Sequence, residues 1–225
     1  MIAADQPTIF PPRLQVVVSS VGDGSMKDGE DLLTPEAVQN RTEFLAKNNM
    51  GTENVAVFYA DFATSDFCRY GAATPGLMSG YDGVATNQPG QSILLPLADC
   101  VGTVLYDPAH HAVMLAHLGR HSTEQFGGIK VVEYMAKTYN SSPADLLVWL
   151  GPSPNGASYP LHAFDDRSFT DVLTEQLQST GVLAANIQVS AVDTSTNPQY
   201  FSHSQFLAGT QATDGRYGVA VQLLK

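Results

Sequence analysis

Cys100 and His117 are the residue types best suited to chemistry in this chain, a thiol and an imidazole, each at what the local pattern makes the end of a strand. Cys100 closes Leu97-Ala98-Asp99-Cys100, between two apolar runs. His117 lies in Ala116-His117-Leu118-Gly119-Arg120-His121-Ser122, where strand-like sequence gives way to helix-like sequence. Side chains at element ends can converge on one edge of a sheet. Thiolate and imidazole suit zinc or copper, and a catalytic zinc site takes three protein ligands and leaves one position open for water. A separation of 17 residues is not diagnostic in the way that C-x-x-C is. His121 reads as a further ligand, a base beside the ligands, or a plain residue of the first helical turn. Arg120 meets the positive end of that helix, an unfavourable place unless an anion sits there.

The elements that must position these residues follow from periodicity. Residues 14–21 form a β-branched apolar run, and the turn-forming stretch 22–31 follows it. Thr34-Pro35-Glu36 supplies a cap and a first-turn proline for a helix to about Asn49. Strand signals recur at 55–59, 83–86, 92–97, 101–106 and 112–117, each bounded by Gly, Pro, Asp or Asn. Ser122 with Gln125 reads as a capping box for a helix to about Tyr139. Residues 146–150 read as a buried strand, and Ser168 opens a helix that Gly181 ends. Strands near 187–191 and 217–224 close the chain. Strands cluster early and helices are interspersed later, so the expected architecture is α+β, a single-domain layered sandwich with a mixed sheet. Residues 1–13 read as an extended arm and 14–225 as the domain.

The chain has 225 residues and 44% hydrophobic content, enough for a sizeable core. Eleven Lys plus Arg against 22 Asp plus Glu give a net charge of -11, a field that repels nucleic acid and anionic lipid. A small-molecule partner is expected instead. No basic leader and no run of 18 apolar residues is visible, so a soluble, cytoplasmic protein is expected. Two cysteines, Cys68 and Cys100, do not make a disulfide scaffold, and each reads as a reduced thiol. Cys68 reads as a small buried hydrophobe, and the adjacent His110 and His111 as solvent-facing turn residues.

Ala98-Asp99-Cys100, followed by Ala116-His117 and Gly119, resembles the ADC and AHAGWRG motifs of the laccase-domain family, whose members are described as multicopper polyphenol oxidases or purine nucleoside phosphorylases. Asp82-Gly83-Val84-Ala85-Thr86 with Pro89-Gly90, Asp107-Pro108, Gly151-Pro152 with Tyr159, Tyr200-Phe201-Ser202 and Gly215-Arg216 match further segments in order. The resemblance runs over roughly residues 14–224. It implies a zinc site of one Cys and two His, with phosphorolysis or deamination of purine nucleosides, or copper and phenol oxidation. Cys100 and His117 match two ligands. The third would come from residues 58–63, where no His stands; Asp61 is the nearest positional match, and His121 is the other substitute. Asp99, His121 or His203 would handle a proton. Arg41, Arg69, Arg120 and Tyr159 are candidate substrate contacts, with Arg216 another. Departures are plain. The late FFSYRRD-like motif becomes Tyr200-Phe201-Ser202-His203-Ser204-Gln205 and loses its Arg pair, which weakens a phosphate site and leaves open a family relative that only binds.

Overall fold

A computed structural model describes residues 5–27 and 31–225. Residues 1–4 of the expected arm and 28–30 of the expected turn lie outside the described residues. The elements run β1 (Leu14–Val18), α1 (Pro35–Lys47), β2 (Val55–Tyr59), β3 (Tyr70–Ala72), β4 (Gly76–Ser79), β5 (Gly83–Thr86), β6 (Ser92–Leu97), β7 (Val101–Asp107) and β8 (Ala112–Leu118). They continue with α2 (Arg120–Glu124), α3 (Gly127–Tyr139), β9 (Leu147–Leu150), α4 (Phe169–Ser179), β10 (Ile187–Val189), α5 (His203–Leu207) and β11 (Tyr217–Leu223).

Five strands form one mixed sheet in the order β1-β11-β6-β2-β4, and six form a second in the order β10-β9-β7-β8-β5-β3. The expected layered sandwich is therefore built from two mixed sheets. Phe58, Ile93, Leu95 and Val219 of the first pack against Val104, Tyr106, Val113 and Trp149 of the second. On the other face of the second sheet, Leu105, Met114 and Val148 meet Val131, Met135, Leu173 and Leu177 of α3 and α4. Phe44 and Leu45 of α1 cover Val57, Leu94 and Ala220 of the first sheet. Alternate residues of β7 and β8 thus face sheet and helix, and every residue of both strands is buried. That double burial is why both segments read as unbroken apolar runs.

Several expectations are corrected. The first strand stops at Val18 because Ser20–Asp23 close a tight turn in which the Asp23 carboxylate accepts from the Ser20 N–H at 2.8 Å. The strands expected at 187–191 and 217–224 end at Val189 and Leu223. The helix expected from Ser122 to Tyr139 is two helices, broken at Phe126 with φ +62°. No capping box forms: Ser122 lies inside α2 and its hydroxyl donates back to the Gly119 carbonyl at 3.0 Å. Gln176 of α4 splices the break, accepting from the Gly128 N–H and donating to the Thr123 carbonyl, both at 2.9 Å. His111 does not face solvent freely; its ring nitrogens lie 3.0 Å from the Tyr106 hydroxyl and 3.0 Å from the Leu224 carbonyl.

Arg41 is buried under α1, where its guanidinium donates to the carbonyls of Met26 and Leu32 at 2.6 Å each. Those bonds anchor the segment after β1 to the helix. Arg41→Ala would leave two buried carbonyls without donors and open a cavity, an expected loss of about 3 kcal/mol. Urea denaturation checks this, and an unchanged midpoint contradicts it.

Candidate active site

The β7–β8 register pairs Val101 with Leu118 and Gly102 with His117, so Cys100 and Gly119 extend the same rung at the sheet end. Gly119 lies so close to its neighbours that a Cβ there would sit 2.7 Å from Cys100 Sγ and 3.3 Å from His117 Cε1. Glycine is what lets the thiol and the imidazole share this corner. His117 is buried, with its backbone N–H donated to the Asp82 backbone carbonyl at 2.7 Å and its ring Nδ1 without a partner. Burial pushes the His117 pKa down to about 4, so the ring is neutral at pH 7. Burial, helped by the charge of Asp99, pushes the Cys100 thiol up to about 12 against the opposing pull of Arg216 and Arg120. Cys100 is therefore a thiol.

Asp99 precedes it in the left-handed region at φ +69°, buried, with Oδ2 accepting from the Ser204 N–H at 2.7 Å. That bond ties the ADC corner to α5, while Oδ1 stays unpartnered. Across α5, Asp214 Oδ1 lies 2.8 Å from His203 Nδ1 and 2.5 Å from Arg216 Nη1. Although burial opposes it, these bonds hold the Asp214 carboxyl below its usual range. Sequence reasoning named His203 and Arg216 separately; the Asp214 that joins them carried no signal beyond proximity to Arg216.

Asp99, Cys100, His117, His203 and Arg216 border one cleft of about 770 Å³. Of the residues expected from sequence, it brings together Asp61, Asp99, Cys100, His117, Arg120, His121, Tyr159, His203 and Arg216, and adds Lys27, Phe62 and Phe67. Arg41 and Arg69 are not in its wall. Arg69 instead sits with Nε 4.0 Å from Asp82 Oδ2, and Asp82, buried, is pushed up to about 6 by that burial. His121 stacks on Phe67 at 4.5 Å, with Arg120 Nη2 3.4 Å from its Nε2.

A family model described as multi-copper polyphenol oxidoreductase laccase matches residues 30–223. The chain belongs to that family. Among relatives of this laccase family, the chain is 35% identical over 105 residues to "Purine nucleoside phosphorylase YlmD" of Bacillus subtilis, covering 47% of this chain and 36% of that protein. It is 32% identical over 151 residues to "Purine nucleoside phosphorylase LACC1" of Homo sapiens, covering 55% and 34%. The match thus spans about a third of the length of these relatives. The fold is that of hypothetical protein YfiH of Bacillus licheniformis, with a TM-score of 0.79 at 20% identity over 94% of this chain and 93% of the other. YlmD of Geobacillus stearothermophilus superposes at 0.78 with 18% identity over 95% and 93%.

A laccase-family metal site requires donors that converge. Among the described residues no group of three His, Cys, Asp or Glu does so. Cys100 and His117 are neighbours, but Asp61 Oδ1 accepts from the Ala63 N–H at 2.9 Å, His121 is stacked on Phe67, and the ring set against His117 is the phenyl of Phe62 at 6.1 Å. The four sequence-expected donors line one cleft without assembling a three-donor site, so the residues present do not fit the zinc or copper centre that the resemblance implies. Among the described residues, no helix is long and apolar enough to cross a membrane.

Proposed function

We propose that this cleft is the active site of an enzyme acting on purine nucleosides, with phosphorolysis as its reaction. The observation that carries the reading is electrostatic. In a chain of net charge -11 with only eleven Lys plus Arg, three of those cations, Lys27, Arg120 and Arg216, line this one cleft beside a buried neutral imidazole. Two carboxylates, Asp61 and Asp99, share that lining, so the cleft is far less acidic than the chain as a whole, and its guanidiniums suit an anionic co-substrate. His203 stands in the segment where the FFSYRRD-like motif loses its Arg pair, and Arg216, joined to it through Asp214, supplies a guanidinium beside it.

In phosphorolysis a phosphate oxygen bonds to C1′ while the C1′–N9 bond breaks and its electron pair leaves with the base. Arg120 and Arg216 hold the phosphate. Asp99 Oδ1, unpartnered and buried, accepts a ribose hydroxyl. Neutral His117 offers the ribosyl or base a hydrogen bond, without the electrostatic cost of a cation beside a developing oxocarbenium. The names of the curated relatives agree with this substrate class.

The test incubates purified protein with inosine or adenosine, with and without inorganic phosphate, and follows free base and ribose 1-phosphate. Base release that requires phosphate is expected. Arg216→Gln is expected to raise the KM for phosphate about tenfold and to leave that for inosine within about twofold. Base release without phosphate would make the enzyme a hydrolase, ammonia in place of base a deaminase, and no turnover at all would remove the reading. The unassembled metal donors favour one second reading, a family member that binds nucleoside without converting it. Inosine binding without turnover would establish that.

A further inference from the structure

Between β2 and β3 the chain holds an aromatic side chain at the cleft without burying it. Phe62 is 62% exposed while lining the cleft. Its ring stands edge-on to His117, with centroids 6.1 Å apart at 89°, and tilted to Phe67 at 6.0 Å. Phe67 in turn stacks on His121 at 4.5 Å and 22°. Single exposed phenylalanines are common and carry no argument. Phe62 differs because the loop around it is fixed. The Asp61 carboxylate accepts from the Ala63 N–H, an Asx turn with Phe62 at its centre. Further along, Gln125 accepts from the Phe67 N–H at 3.0 Å and donates to the Ser65 carbonyl at 2.7 Å. The loop is thereby tied to the end of α2, the helix that carries Arg120 and His121.

Within residues 58–63, where the resemblance places a third metal donor, the side chain in ring contact with His117 is thus a phenyl. A phenyl has no lone pair for an ion. It has a face for a flat ring, and every heteroaromatic base has a face to return. We propose that Phe62 is the base-stacking residue of this cleft and selects ligands that carry a heteroaromatic ring. The proposal rests on the nucleoside reading above and names the residue that recognises the base.

2-Aminopurine riboside is the probe, since its fluorescence is quenched on stacking. Titration with the native protein is expected to quench it. Phe62→Ala is expected to weaken the apparent affinity about tenfold, while Phe62→Tyr stays within about twofold and inorganic phosphate binds all three alike by calorimetry. Unchanged thermal melting shows that the variants are folded, as the exposure of Phe62 leads one to expect. Equal affinity of native and Phe62→Ala protein for the probe overturns the proposal, and so does a native protein that does not bind the probe. The two readings separate cleanly: Phe62-dependent quenching without base release rejects the reaction and keeps the stacking residue, whereas phosphate-dependent base release with an inosine KM indifferent to Phe62→Ala does the reverse.

Discussion

Gly119→Ala is expected to lower nucleoside turnover about 100-fold and to destabilise the protein by about 1–3 kcal/mol. The backbone is no obstacle, since Gly119 has φ -97°, a value alanine adopts freely. The obstacle is space. The new methyl group would lie 2.7 Å from Cys100 Sγ and 3.3 Å from His117 Cε1, and the first of these separations forces movement. The imidazole has little room to yield, being buried on a strand whose backbone N–H at His117 donates to the Asp82 carbonyl, and being faced by Phe62. The thiol must turn instead, and with it the corner that holds Asp99 to α5. Cys100→Ala combined with Gly119→Ala removes the clashing sulfur, so the double variant is expected to recover most of the melting temperature without recovering the turnover. Native turnover and melting in the single variant would show that the corner is not tightly packed around the reaction.

That corner illustrates what could be read from residues alone. Cys100 and His117 were visible as strand-terminal groups because β7 and β8 are buried on both faces and bounded by turn signals. Their adjacency depends on the register of Val101 with Leu118, which no local pattern sets. β3 and β4 carry no such signal for a related reason: they are short edge strands, half-exposed, and Gly76 at φ +103° interrupts any strand period. The break at Phe126 was equally hidden. Apolar residues keep helical spacing across it, and the group that stabilises it, Gln176, comes from a helix 50 residues away. Among the site residues, Arg41 shows the opposite failure. Its motif match was legible, but a guanidinium bonded to two buried carbonyls has a structural role that a motif does not reveal. Phe62 and Phe67 gave no signal at all, because aromatic residues in an irregular loop have no period. Arg216 and His203 were each legible, but Asp214, which brings them together, works only through the tertiary approach of α5.

The burial of His117 and of Asp82 has a consequence for acid stability. The His117 pKa lies at about 4, below its ordinary 6.5, so on acidification the unfolded chain takes up this proton first. Its contribution is present above pH 6.5 and lost as the pH falls towards 4, amounting to about 3 kcal/mol. Asp82 has the opposite sign. Its carboxyl is raised from 3.8 to about 6, so the folded state binds the proton more tightly, and that contribution is present below pH 3.8 and lost as the pH rises through 6, again about 3 kcal/mol. The two residues are joined through the backbone N–H of His117 and the backbone carbonyl of Asp82, and between pH 4 and 6 their contributions offset one another. Asp82→Asn keeps an acceptor for the Arg69 N–H and removes one titration. Relative to the native protein, its stability is expected to fall by about 3 kcal/mol more between pH 6.5 and pH 4, measured by urea denaturation across that range. His117→Gln is expected to shift the other way by a similar amount, and the double variant to follow the native curve. Parallel curves for the native protein and Asp82→Asn would mean that Asp82 is ionised in the fold at pH 5. The low value also bears on turnover, since His117 remains a neutral imidazole at pH values well above 4 and no activity limb near pH 6.5 is expected from it.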